Sequence, residues 1–173
     1  MFRAIAALAM ASAATQPTAT LSSNAPWWER VTVTVTDDGQ TQSCRYETSL
    51  APGGSKNCSV VGNAASMTHE AGAKDEYTKI TFERRFSPNS KPDLASLQPG
   101  ETLLGGQVMA LAIDGRGAVR GCRVVATSGS VTPQYGCDEA TAERFTASAA
   151  SPRAAEHEGY LSVLVYGHSE HVV

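Results

Sequence analysis

Four cysteines that fall into two copies of one pattern constrain this chain more than any other feature. In the first copy an alternating stretch from Val31 to Thr36 leads through the turn Asp37-Asp38-Gly39 to Cys44-Arg45 and then to Cys58. In the second, the apolar stretch Val108 to Ile113 leads through Asp114-Gly115-Arg116-Gly117 to Cys122-Arg123 and then to Cys137. The spacing of the paired cysteines differs by a single residue between copies, and the chain holds 4 cysteines in all. Self-similarity of this kind signals a duplicated unit. Long spacings without a Cys-x-x-Cys pair argue for structural disulfides rather than a redox centre or a zinc site. The simplest pairing is one bridge per copy, Cys44 with Cys58 and Cys122 with Cys137. Two cross pairings stay open, Cys44 with Cys122 plus Cys58 with Cys137, or Cys44 with Cys137 plus Cys58 with Cys122, and either would tie the copies together.

A chain of 173 residues divided in this way gives lobes of roughly 60–75 residues, whose cores are marginal. A bridge that closes a loop of about 15 residues contributes roughly 3 kcal/mol in the chain-entropy account, a large share of such a stability. The expected fold is α+β. Two small lobes, 27–86 and 101–167, would each carry a short antiparallel sheet of about three strands, one helix or helix-like segment and one disulfide. Residues 87–100, with three prolines, would form the linker between them, and 168–173 a tail.

Local patterns support the strands. Glu29 to Thr36 alternates Val with Thr, Asp37-Asp38-Gly39 is a hairpin turn, and Gln40 to Ser49 is its return strand. Ala51 to Lys56 reads as a loop and Cys58 to His69 as a weak helix. Glu76 to Phe86 alternates again and gives a third strand. In the second copy, Leu103 to Ile113 and Ala118 to Thr127 form the hairpin, Cys137 to Ala147 a helix with acidic residues in its first turn, and Gly159 to Tyr166 the closing strand. The adjacent Trp27 and Trp28 cannot share a strand face, so one is expected on the core and the other on a rim.

The first residues look like a targeting segment. Arg3 supplies positive charge, Ala4 to Ala11 a short apolar run, and Ala11-Ser12-Ala13 a small-x-small cleavage pattern, so 1–13 is expected to be a signal peptide and 14–26 a flexible lead-in. The run is shorter than the ~20 apolar residues of a membrane span, and no cysteine lies near the cut to carry a lipid, so no stable membrane anchor is expected after cleavage. The expected compartment is oxidising, and the chain is expected to be secreted. With a formal net charge of −3 and no basic patch interleaved with aromatics, nucleic acid is an unsuitable partner.

The second copy resembles the TonB C-terminal domain and its periplasmic relatives. Asp114, Gly117 and Val119 match the turn of that family, Val124 the return strand and Ser128-Gly129 its end. Asp138 and Ala140 match the helix start, Phe145 the aromatic near its end, and Gly159 with Leu161 to Val165 the last strand. The proline that usually follows the aromatic is displaced to Pro152, and the first copy matches only through Gly39, Cys44 and the strand rhythm. The resemblance implies a secreted, periplasmic protein of a Gram-negative envelope that binds a protein partner by adding a sheet edge to its strand. It lacks the spanning helix and the proline-rich reach that energy transduction needs.

No residue is nominated as catalytic, cofactor-binding or metal-binding, and no cofactor is expected. His168-Ser169-Glu170-His171 is a loose set of ligands on a terminus, and His69 and His157 stand alone. Ser128-Gly129-Ser130 lacks the Gly-x-Ser-x-Gly elbow of a serine nucleophile. The acidic turns lack the calcium-loop pattern, and Asn57-Cys58-Ser59 fits a glycosylation acceptor only formally. Arg45 and Arg123 occupy equivalent places and read as solvated strand residues or partner contacts. The alternative function is a small-ligand binder or enzyme that uses a groove between the copies.

Overall fold

Alternating β-branched residues and Gly-containing turns give the chain its strands. The computed structural model describes residues 20–22, 25–36, 41–51, 53, 55–58, 78–92, 101–146 and 156–168. In chain order the elements are β1 (Thr20–Ser22), β2 (Trp27–Val35), β3 (Thr41–Thr48), β4 (Ser55–Asn57), β5 (Lys79–Pro88), β6 (Glu101–Ile113), β7 (Val119–Gly129), α1 (Cys137–Ala142), β8 (Arg144–Thr146) and β9 (His157–His168). The expected signal peptide, and the expected helix beyond Cys58, lie outside the described residues, as do 93–100 of the expected linker.

The expectation of two lobes, each with its own sheet and helix, is overturned. Seven strands form one antiparallel sheet in the order β4-β3-β2-β5-β9-β6-β7, and β1 and β8 form a separate parallel pair. The closing strands of the two copies cause the merger. β5 and β9 pair with each other from Lys79 opposite His168 to Pro88 opposite Gly159. Separate three-stranded sheets would each have left a row of backbone donors and acceptors open at that edge, and the pairing satisfies both rows at once.

The duplication survives within this single sheet. Val33 lies opposite Cys44 and Ile80 in the first half, and Leu111 lies opposite Cys122 and Gly159 in the second. The first hairpin is bulged after Thr34, where Gln42 is the extra residue, and the second is bulged at the equivalent place after Ala112, where Arg120 is extra. Counted from these anchors, Arg84 corresponds to Val163, and those two residues face each other across β5 and β9. A pseudo-twofold axis therefore passes between them. Both disulfides close within their own half, Cys44 to Cys58 with Cα atoms 5.0 Å apart and Cys122 to Cys137 at 5.5 Å.

The front face of the sheet carries the main core. Trp27, Phe86, Met109, Leu111, Ile113, Leu161 and Val163 pack there with Ala140 of α1 and Phe145 of β8. The Phe86 ring lies 6.1 Å from Trp27 and 4.8 Å from Phe145, centroid to centroid. Trp28 points to the opposite, back face and is half-buried. The helix expected to run to Ala147 stops at Ala142. Phe145 is the reason: its N–H donates to the Gly117 carbonyl at 2.8 Å and its ring is buried against Phe86, so tertiary docking overrides the helix propensity of the segment. Gly117, at φ +79°, lets the turn pass under this strand, where a Cβ would lie 1.9 Å from the Phe145 carbonyl oxygen.

Gly159 shows how tightly the centre is packed. A Cβ there would fall 2.5 Å from the Phe86 ring and 3.2 Å from Ile113 Cδ1. Gly159→Ala is expected to lower stability by about 1–3 kcal/mol through overpacking, read as a reduced midpoint in urea with an unchanged slope.

Candidate functional site

Three consecutive residues at the centre of the sheet, Glu83-Arg84-Arg85, alternate faces and bring charge into both. On the back face Glu83 is 1% exposed. Arg30 donates to it from Nε at 3.0 Å and from its terminal nitrogen at 2.6 Å, and Arg85 Nε donates to its other oxygen. On the front face Arg84 reaches two carboxylates. Its Nε donates to Glu29 at 3.1 Å, a second nitrogen donates to the same oxygen, and the third donates to Glu143 at 2.7 Å. Tyr46 donates its hydroxyl proton to Glu29 at 2.8 Å, and Tyr135 donates to Glu143 at 2.6 Å. The guanidinium carbon also stands 4.9 Å from the Tyr135 ring centroid and 5.7 Å from that of Trp27, within cation–π range.

These contacts set the protonation states. Burial pulls the Arg84 guanidinium down, but the Glu29 carboxylate and its hydrogen bonds, with Tyr135 and Glu143, hold it above its ordinary value. Burial pushes up the phenols of Tyr46 and Tyr135, and the hydrogen bonds they give to Glu29 and Glu143 push them further. Burial, then the Glu83 charge, moves Tyr166 on the back face up to about 12. Around Arg84 the polypeptide leaves a hollow of ≈ 410 Å³, walled by Glu29, Val31, Tyr46, Phe82 and Arg84 from the first half and by Pro133, Gln134, Tyr135 and Val163 from the second.

A second feature is the end of the sheet at β7. In the first half the short strand β4 covers β3, with Lys56 opposite Tyr46 and Asn57 opposite Arg45. The residues equivalent to β4 are Gln134 to Gly136, and they do not pair with β7. Tyr135 turns over the front face instead, where its carbonyl accepts a hydrogen bond from Gln107 and its hydroxyl serves Glu143. β7 is thus left as the outermost strand, paired only with β6 among the described residues. Extra residues Arg120 and Val125 bulge it at two points, and the regular run Gly121 to Val124 lies between them. Val124 is 47% exposed.

The residues singled out from sequence are dispersed. The four cysteines, Cys44, Cys58, Cys122 and Cys137, staple strand to following segment in each half. Arg45 is solvated and hydrogen bonds to Ser55 at 2.8 Å, while Arg123 is solvated and meets Glu158 at 3.3 Å. His157 and His168 begin and end β9, and Ser128 lies near the end of β7. His69, Glu170 and His171 lie outside the described residues. Among the described residues no group of three or more His, Cys, Asp or Glu is placed to hold a metal ion, and no helix is long and apolar enough to cross a membrane. Arg84, Glu29, Glu143 and Tyr135 were not legible as a cluster. Their one sequence signal is the charged triplet that interrupts an otherwise alternating strand.

No family model, curated protein or solved structure matches the chain.

Replacing Arg84 with Gln strands two carboxylates, each less than one-fifth exposed, and is expected to cost roughly 2–4 kcal/mol in chemical denaturation. The tyrosines give a pH dependence. Their folded pKa values lie above the ordinary 10.0, so the folded state keeps its phenolic protons longer than the unfolded chain does. The associated stability is intact below about pH 10 and is lost as pH rises toward 12. Ultraviolet titration of the phenols alongside urea melts between pH 8 and 12 checks both.

Proposed function

We propose that this is an exported, non-catalytic polypeptide-binding protein of the cell envelope that takes an extended partner segment along β7. The observation that carries the reading is the vacant place on that strand. The molecule covers the equivalent edge of its first half with its own β4 and leaves Arg123 to Val125 without such a cover among the described residues. Unpaired strand groups beside an exposed Val124 favour addition of an antiparallel strand, with main-chain hydrogen bonds supplying affinity and side-chain pockets supplying selectivity. The bulges on either side limit the contact to a few residues and oppose open-ended edge-to-edge association.

The resemblance of 101–167 to the TonB C-terminal domain supports the same reading, with one modification. Here the last strand, β9, is paired on both sides, by β5 and β6, so β7 is the edge of the second half that remains. The two disulfides are compatible with an oxidising, periplasmic location.

Selection of displayed random heptapeptides on the disulfide-intact protein tests this proposal. Recovered peptides are expected to be extended and alternately apolar, and to slow hydrogen exchange along Gly121 to Val125. Val124→Lys is expected to abolish their binding while changing stability by no more than about 0.5 kcal/mol, because the side chain is exposed. Peptides that bind without protecting β7, or that bind Val124→Lys equally well, would contradict the proposal.

A further inference from the structure

The hollow beside Arg84 differs from its counterpart in the other half. Val31 and Phe82 correspond to Met109 and Leu161, which are buried in the core together with Ala140 of α1 and Phe145. Arg84 corresponds to Val163, Glu29 to Gln107 and Tyr46 to Val124. The same place in the fold is therefore an apolar core beside α1 in one half and a hollow of ≈ 410 Å³ carrying charge and phenols in the other. That volume lies at the lower end of the range for small-ligand sites.

The wall chemistry selects the ligand. Glu29 on the wall and Glu143 behind it share the one guanidinium of Arg84, so this front-face cluster carries one excess negative charge, while Arg30 and Glu83, which also border the hollow, neutralise each other. Tyr46 and Tyr135 have each given their only hydroxyl proton to a carboxylate, so they offer a ligand oxygen lone pairs, and Tyr46 also an electron-rich ring face, the Tyr135 ring already carrying the Arg84 guanidinium. Both suit a cation. Arg84, the fixed cation on the wall, is already engaged by both carboxylates, which leaves an anion poorly served. Val31, Phe82 and Val163 supply apolar surface for a hydrocarbon body.

We propose that the hollow between Glu29, Tyr46, Phe82, Arg84 and Tyr135 binds a small organic cation, an alkyl- or arylammonium ion whose hydrocarbon part lies on Val31 and Phe82. This site is separate from the β7 edge and stands or falls independently of it.

Isothermal titration calorimetry on the full, disulfide-intact chain tests the proposal, with phenethylammonium as the probe and phenylacetate and phenethyl alcohol as charge controls. The expected result is saturable one-site binding of phenethylammonium, about tenfold or more tighter than either control. Glu29→Gln is expected to weaken it by a similar factor. Val31→Phe occupies the hollow and leaves every charge in place, so it is expected to remove binding even if Glu29→Gln folds poorly. Absence of binding to the wild-type chain, equal binding of phenylacetate or the alcohol, or undiminished binding by folded Val31→Phe would each overturn it.

Discussion

Pairing of β5 with β9 is the interaction on which the rest of this structure depends. Each strand closes one copy of a duplicated unit, and each would otherwise be an open edge. Joined from Lys79 opposite His168 to Pro88 opposite Gly159, they become the fourth and fifth strands of a seven-stranded sheet. The front-face core then runs across the join: Trp27 and Phe86 of the first half pack with Leu161, Met109 and Phe145 of the second. Neither half owns that cluster. The disulfides act further out, bracing β3 and β7 to the segments that follow them.

The same pairing explains why charge sits at the middle of the sheet. Arg84 lies opposite Val163 near the pseudo-twofold axis, where strands from both halves converge and its side chain is half-buried. A lone guanidinium there would be costly. Glu29 comes from β2 in the first half and Glu143 from the end of α1 in the second, so the charge is compensated by both copies. Glu83, on the other face, has its own two arginines. The asymmetry between halves follows from how each treats the segment before its second cysteine. In the first half Ser55 to Asn57 extends the sheet as β4. In the second, Gln134 to Gly136 turns inward, brings Tyr135 to Arg84 and leaves β7 at the edge. One divergence thus creates both the hollow and the open strand.

Local features were legible in the sequence because they are set by local chemistry. The Val-Thr alternation of β2, the Gly turns and the near-equal cysteine spacings gave the hairpins and the strands. The disulfide pairing was narrowed by spacing and decided by the structure. The partition into lobes failed because strand pairing between residues as distant as Lys79 and His168 leaves no periodic trace. A proline-rich stretch after Phe86 invites division where the sheet in fact continues through Pro88. Glu83 shows the limit at the level of one residue: a carboxylate in an alternating strand reads as solvent-facing, yet arginines from β2 and β5 allow its burial. The helix ran short for a related reason, since Phe145 is drawn into a core that the sequence of its own segment does not reveal.

Native-state hydrogen exchange of the β5 and β9 amides tests the central claim most directly. If the two copies form one sheet joined at its centre, Ile80 to Phe86 and Leu161 to Val165 exchange only through global opening, with a common free energy equal to that of complete unfolding. Exchange of the β5 amides at a lower free energy, while the β9 amides stay protected, would show that the halves open separately and would contradict the account.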